Sequence, residues 1–540
     1  MNTETDSRST TLFPSLRSFY NSGKFPLILA GVYFVVLVIF GLAFHKVGAW
    51  GAESDFYTRY APEAREFIRG TITADQFQGP LYPWTVGLIG IIIGDLFRSG
   101  VIISAISGAL SLYFIFEITK TLFSPDVALL STVLVAVNGV FIQYSYTVGT
   151  DMFFAVLAFA GLYMLFRKPV ISRLELAASA LLVALACLVR YNGIVFLFAA
   201  ALVILYRAVE VKGWTKYRAA AVFVLVFAVV TLPWAIYLKM KYGSFFYNEN
   251  YQNVAYEVFA KDQETWEQFW FQFAGQFTGY WDVIMKSPGT FAWVVLKNIF
   301  THLYYDAKWL ADFWVGIPSI IGGVIFAFSH PDRRKVGLIF FFLSQFAVLL
   351  TVFYWNRFSL FLLPMYCIFF ALLLKYLFTR LANKKAAVMK LLNSLAALAV
   401  ILSFARAYSS NLENVRSDPT DIVLVRDWFH KHYGTRYDNA RIASVSHNVS
   451  YLLGLEFHYF PMVDDYDSLI AVLKKDDVEF LYYGSAEIVY RPQFVYLLNI
   501  DTAAHPCLLP LCLTHKPPAV LYKVTDCTGG KPEGAPWRKK

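Results

Sequence analysis

Between residues 26 and 406 the chain repeats one pattern, an apolar run of about 15 to 22 residues closed at its ends by charge. A helix of roughly 20 residues crosses the ~30 Å hydrocarbon core of a bilayer. The runs occupy 26–45, 100–119, 127–146, 152–167, 174–190, 193–207, 219–239, 311–329, 336–355, 358–379 and 387–406. A further apolar stretch, 83–96, is short and bracketed by Gly and Pro. The pattern predicts an all-α polytopic membrane protein of about eleven transmembrane helices. Composition agrees, because 57% of the 540 residues are hydrophobic, 18% aromatic and 16% charged, with a mean hydropathy of +0.50. Soluble domains carry about 25% charged residues, so an ordinary soluble protein is excluded, as are disorder, collagen and coiled coil. Membrane topology accounts for the net charge of +9, and no nucleic-acid partner is expected.

Short cytoplasmic loops hold an excess of Lys and Arg. With a cytoplasmic segment at 1–25 and no crossing at 83–96, 18 such residues fall inside, among them Arg8, Arg17, Arg167, Lys168, Arg333, Arg334, Lys384 and Lys385. The short outer loops then hold only Arg190 and Arg357. Counting 83–96 as a span would turn the 207–218 cluster outward, so it reads as a helix half-embedded in the outer face. The first run is too long for a cleavable signal peptide, lacks a clear A-x-A site and reads as a signal anchor. Three parts face outward: loops 46–99 and 240–310, and the tail 407–540.

That tail has a soluble composition. Helical periodicity at 420–433 and 466–474, with strand patterns at 441–445, 478–483 and 519–524, predicts a small external α/β domain. Cys507, Cys512 and Cys527 lie there, where an oxidising compartment allows one disulfide and leaves one thiol. Cys187 and Cys367 fall in spans as packing residues. The C-x4-C spacing is poor evidence for zinc.

No phosphate loop, dinucleotide fingerprint, H-E-x-x-H or G-x-S-x-G motif occurs, so chemistry is expected at the outer membrane surface. Asp55, in SDFYTRYAPEAREFIRG, sits where partial desolvation makes a carboxylate a better base, or it is a solvated acid or the N-cap of a helix over 56–69. Glu53, Glu63 and Glu66 have weaker claims. Asp151 follows YSYTVGT at an outer helix mouth, either as a cap or facing Asp55 across a cleft. Arg190 in LVRYNG and Arg357 in YWNRFSLFLLP suit a lipid phosphate, or they snorkel to headgroups. THLYYDAKW places His302, Tyr304, Tyr305, Asp306 and Lys308 near the membrane, where aromatic belts also produce such clusters.

In order, the acidic first loop with Asp55, PLYP at 80–83, TD at 150–151, RYNG at 190–193 and NRFSLFLLP at 356–364 resemble the GT-C superfamily of membrane glycosyltransferases. The closer likeness is to the bacterial branch related to protein O-mannosyltransferases and lipid A aminoarabinose transferases. The resemblance implies a GT-C-like enzyme, multi-pass in the bacterial inner membrane with a periplasmic C-terminal domain. It would move a sugar from a polyprenyl (undecaprenyl) phosphate donor to a lipid, glycan or protein acceptor of the cell envelope. It assigns Asp55 and Asp151 to catalysis; the charge of a departing phosphate points to Arg190, Arg357 and Lys308 for the donor, and Tyr82, His302 and Tyr305 are expected in the substrate cleft. Phe358 stands where that family usually has Tyr, and Gly79 where the aminoarabinose transferases carry a basic residue.

Transfer needs a base for the acceptor proton and positive charge for the departing phosphate, and a single displacement predicts inversion at the anomeric carbon. No cofactor is required; a divalent cation, Mg or Mn, is compatible with this chemistry, though no metal ligands are assigned. The rival readings are a transporter or flippase of lipid-linked sugars and an oligosaccharide ligase of the same fold. The charges cluster outside and no internal repeat occurs, which counts against the transporter.

Overall fold

Each of the eleven apolar runs is helical in the computed structural model, which describes residues 23–48, 53–381, 386–416, 419–434, 437, 440–500 and 505–526. Arg8, Arg17, Lys384, Lys385 and Cys527 lie outside the described residues. Among the latter, five helices are long and apolar enough to cross a membrane, or up to six if one bent pair is a single span. The expected count of eleven is therefore not reached by length and composition. Polar caps trim the shorter helices: a Ser172–Glu175 capping box opens Arg173–Val189, and Asp332 accepts from the Arg334 and Lys335 amides to open Arg333–Leu349. At 17 residues each is about 26 Å long.

The single span expected over 127–146 is two helices, Pro125–Ala136 and Gly139–Tyr146, bent by 62°. Asn138 makes the break. Its side-chain oxygen accepts from the Val140 and Phe141 amides at 3.0 Å, starting a new helix, and its Nδ2 donates to the Leu310 carbonyl at 2.7 Å. The 83–96 stretch is the short helix Leu81–Ile93, closed by Gly94 at φ 78°. Leu96–Leu122 buries a face of small residues, Ser99, Gly100, Ser104, Ala105, Ser107, Gly108 and Ser111, which lets neighbouring helices approach closely.

The chain divides into two compact units, Met1–Leu42 with Glu63–Leu412, and Ala43–Pro62 with Glu413–Lys540. The first is the helical unit, with one two-residue parallel pair, β1 (Val170–Ile171) and β2 (Glu210–Val211). The second contains a five-stranded sheet of β3 (Arg441–Ser444), β4 (Glu456–Tyr459), β5 (Val478–Tyr483), β6 (Leu508–His515) and β7 (Pro518–Val524), in the order β4-β3-β5-β7-β6. β3 pairs in parallel with β4 and β5; β7 runs antiparallel to β5 and β6. Period-two alternation divides the core. Phe480, Tyr482 and Leu521 pack with Ile422, Val425 and Phe429 of Thr420–Tyr433, whereas Leu481, Tyr483 and Val520 pack with Leu469, Ile470 and Leu473 of Tyr466–Lys475. Cys507 is disulfide-bonded and Cys512 is a free thiol.

Candidate active site

In the sheet unit, Asp55 leads into a π-helical turn, Phe56–Tyr60, that continues as the helix Ala61–Ile68. Its backbone is already helical, at φ −59° and ψ −28°, and its side chain caps no amide, so the N-cap alternative is not realised. The carboxylate lies 4.0 Å from the Arg59 guanidinium one turn on, and 22% of the side chain is exposed. The turn is held from beneath. Phe56 and Tyr57 are buried edge-on against Tyr451, with ring centroids 5.7 and 5.1 Å away. The Gly48 amide donates to the Tyr57 hydroxyl at 2.8 Å, and Asn448 Nδ2 donates to the Gly48 carbonyl at 2.9 Å. His45 and Glu53 form a buried pair at 2.8 Å, whereas Glu66 pairs with Arg69 at the surface. His447 stacks on Phe457, and burial, aided by the Arg59 charge, pushes its imidazole down to about 4.

In the helical unit, Asp151 sits in the first turn of Thr150–Phe166 and Arg190 ends Arg173–Val189 in an extended conformation. Asp151 Oδ1 and Arg190 Nη1 form an ion pair, with only 7% and 17% of the two side chains exposed. The Asp151 carboxylate is thus engaged by Arg190 and caps no helix. Arg190 and Arg357 both lie over the Phe358 ring, their guanidinium carbons 5.7 and 5.3 Å from its centroid. One aromatic ring therefore gathers Arg190 and Arg357, and Asp151 pairs with Arg190.

The loop bearing Arg357 is clamped from a third side. Asn298 Nδ2 donates to the Leu350 carbonyl at 3.0 Å, and His302 Nε2 meets the Val352 carbonyl at 3.2 Å. Asp306 accepts from the Tyr366 hydroxyl at 3.0 Å. Its other oxygen lies among the Ser359 and Tyr354 hydroxyls without a well-directed bond. Asn298, His302 and Asp306 recur every four residues along Pro288–Tyr305 and the π turn Asp306–Leu310, so one face carries the clamp.

His302 and Tyr305 both pack against Tyr354, at 5.2 and 5.1 Å, and His302 is buried. The expected cleft role of His302 becomes one of holding a loop. Tyr82 is also fully buried, against Phe153, and does not line an open cleft. Lys308 bonds the Tyr304 hydroxyl at 3.1 Å and lies over Trp309; both aromatic side chains are exposed, the pattern of an interfacial aromatic belt. Gly79 has no room for the basic side chain of the aminoarabinose branch, since a Cβ there would fall 1.9 Å from the Leu188 carbonyl oxygen. Among the described residues, no group of three His, Cys, Asp or Glu is placed to hold a metal ion. The contacts of Asp55 and Asp151 include guanidinium groups, which disfavour a divalent cation at either carboxylate.

Residues 78–237 match the family profile described as dolichyl-phosphate-mannose-protein mannosyltransferase. No curated protein sequence matches the chain significantly. Among solved structures, ArnT from Cupriavidus metallidurans bound to undecaprenyl phosphate is similar with a TM-score of 0.55 at 12% identity, covering 94% of this chain and 100% of that one. The Archaeoglobus fulgidus oligosaccharyltransferase in its apo form gives 0.58 at 15% identity, covering 88% and 72%. The same organism's AglB, in complex with an inhibitory peptide and a dolichol-phosphate, gives 0.56 at 14%, covering 96% and 76%. This chain has the GT-C glycosyltransferase fold. It is an integral membrane protein. Asp306, expected from THLYYDAKW in an aromatic belt, belongs instead to the clamp on the Arg357 loop, and the four-residue recurrence of Asn298, His302 and Asp306 in an apolar helix is the sequence signal for it. The partnership of Gly48 with Asn448, 400 residues apart, left no such trace.

Proposed function

We propose that this GT-C chain transfers a single sugar from a polyprenyl-phosphate carrier to a hydroxyl-bearing acceptor on the outer face of a bacterial inner membrane. The observation that carries the reading is the pair of guanidinium groups on Phe358, one of them fixed by Asp151. In the reaction the acceptor oxygen bonds to the anomeric carbon while the bond from that carbon to the phosphate oxygen breaks. The departing electron pair leaves with the phosphate, where Arg357 and Arg190 meet its growing charge. Asp55 takes the acceptor proton, and the single displacement inverts the anomeric centre. Asp151 is a positioning residue for Arg190. The disulfide at Cys507 supports an oxidising compartment for the C-terminal unit.

The structures with undecaprenyl phosphate and dolichol-phosphate support a lipid-phosphate donor. Transfer of a whole oligosaccharide is the second reading, favoured by the slightly higher TM-score of the oligosaccharyltransferase.

The test is turnover of the purified full-length protein in vesicles with a panel of labelled polyprenyl-phosphate sugars. Sugar transfer coupled to release of lipid phosphate is expected, with Arg357→Ala raising the donor KM by about tenfold, the loss of one charge-assisted contact. Movement of labelled lipid between leaflets without release from any donor would replace the enzyme with a transporter.

A further inference from the structure

A second cationic site lies at the other ends of the helices that follow the clamp. A cavity of about 260 Å³ opens between the C-terminal ends of Phe313–Phe328 and Leu363–Leu381. Its wall is apolar, built by Ile325, Phe326 and Leu372, and Lys375, Tyr376 and Arg380 supply its polar side. Two hydroxyls also line it, but Ser329 donates to the Phe326 carbonyl and Thr379 to the Lys375 carbonyl, so both protons are spent inside their own helices. The cations are left as the recognition elements.

Lys375 is the informative one. It lies six residues before the end of the apolar span Leu360–Leu381 and is half-buried. Among the described residues no acid lies within ion-pair distance of it. Asp126 attracts it and Lys335 repels it from farther away, and Lys335 is itself paired with Asp332 at 2.8 Å. Arg380, one turn closer to the end, is exposed and rests on the Tyr376 ring at 5.4 Å. A cation in an apolar span is costly unless a counter-charge reaches it. Two helix C-termini supply partial negative charge, which accounts for Arg380 as an ordinary terminal cation, but their effect fades within the last turn and does not reach Lys375. Snorkelling would carry the ammonium toward the open side of this same cavity, where an anion can meet it.

We propose that this cavity binds the phosphate headgroup of an anionic phospholipid, with the half-buried Lys375 as the inner counter-ion and Arg380 as the outer one. The occupant is a lipid and not free phosphate because the apolar wall continues into exposed Ile321, Val324 and Phe328, a strip suited to an acyl chain. The Lys and Arg bias assigns these helix ends to the inner leaflet, where anionic lipids are available. The site is separate from the residues assigned to sugar transfer and does not rest on that assignment.

The experiment uses the full-length protein in nanodiscs of pure phosphatidylcholine or with phosphatidylglycerol added, read by thermal unfolding and by lipid retention in native mass spectrometry. Wild type should gain several degrees in phosphatidylglycerol and retain one such lipid per chain. Lys375→Met removes a charge that zwitterionic phosphatidylcholine, with no net charge, offsets less well than phosphatidylglycerol, so this variant should be at least as stable as wild type in phosphatidylcholine and lose the gain. Lys375→Gln with Arg380→Gln should weaken retention at least tenfold and leave sugar transfer unchanged. Undiminished phosphatidylglycerol retention by the double variant, or equal stabilisation of wild type by inorganic phosphate, would overturn the proposal.

Discussion

Two aspartates open π turns in this protein, and the structure uses them in opposite ways. Asp55 precedes Phe56–Tyr60 in the sheet unit, and Asp306 begins Asp306–Leu310 in the helical unit. A π turn inserts one residue and re-aims the side chains that follow, and such turns are frequent at functional sites. The backbone device is the same, but the surroundings are not. Asp55 is 22% exposed with a guanidinium at 4.0 Å, so its carboxylate is within reach of a ligand. Asp306 has no exposed surface and is surrounded by the Tyr366, Tyr354 and Ser359 hydroxyls, with no cation in ion-pair contact among the described residues. The same backbone device thus presents one acid at the surface and keeps the other inside the helical unit, and under the proposed function only the first is open to substrate.

The comparison breaks most sharply at Asp55. Asp55→Asn is nearly isosteric and removes only the basicity, so kcat should fall by about 10²-fold or more while the thermal midpoint stays within a degree or so of wild type. Retained turnover would make Asp55 an ordinary surface acid. At Asp306 the expected split runs the other way. Asp306→Asn keeps an oxygen for the Tyr366 hydroxyl and should change stability and turnover little. Asp306→Leu leaves that hydroxyl buried without its acceptor, costing about 1–3 kcal/mol, and also removes the carboxylate facing Tyr354 and Ser359 in the loop that carries Arg357, so the donor KM should rise more than kcat falls. Equal loss in both Asp306 variants would mean that its charge, and not its hydrogen bond, is what matters.

The helix positions followed from the runs because a long apolar stretch with few charges can satisfy its backbone in a bilayer only as a helix. Helix lengths did not, since capping residues such as Asn138 and Asp332 sit within or beside apolar stretches and act through a few amide bonds. In the sheet, β3, β5 and β7 contain the β-branched residues Ile442, Val478, Val520 and Val524, whereas β4, Glu456–Tyr459, contains none and β6 carries Pro510 at a register shift. Arg190 and Arg357 stood out because short outer loops hold few cations, but their meeting over Phe358 is a tertiary fact. The membership of 43–62 in the sheet unit depends on contacts with residues near 450, which local pattern cannot reveal.

The smallest expected effect tests what holds the Asp55 turn in place. Tyr57→Phe keeps the ring against Phe56 and Tyr451 but removes the oxygen that accepts from the buried Gly48 amide. A buried amide that loses its acceptor costs about 1–3 kcal/mol, and the loss is local because Asn448 still binds the Gly48 carbonyl. The Gly48 amide should therefore exchange with deuterium about tenfold faster or more, while amides in β5 keep their wild-type rates. Turnover should fall only a few-fold, because the Asp55 carboxylate is retained and only the fraction of time it is correctly aimed declines. Faster exchange with unchanged turnover would show that the turn needs no such tether to present its acid. A loss as large as that of Asp55→Asn would instead make the Tyr57 hydroxyl part of the chemistry and remove the distinction between the acid that acts and the groups that hold it.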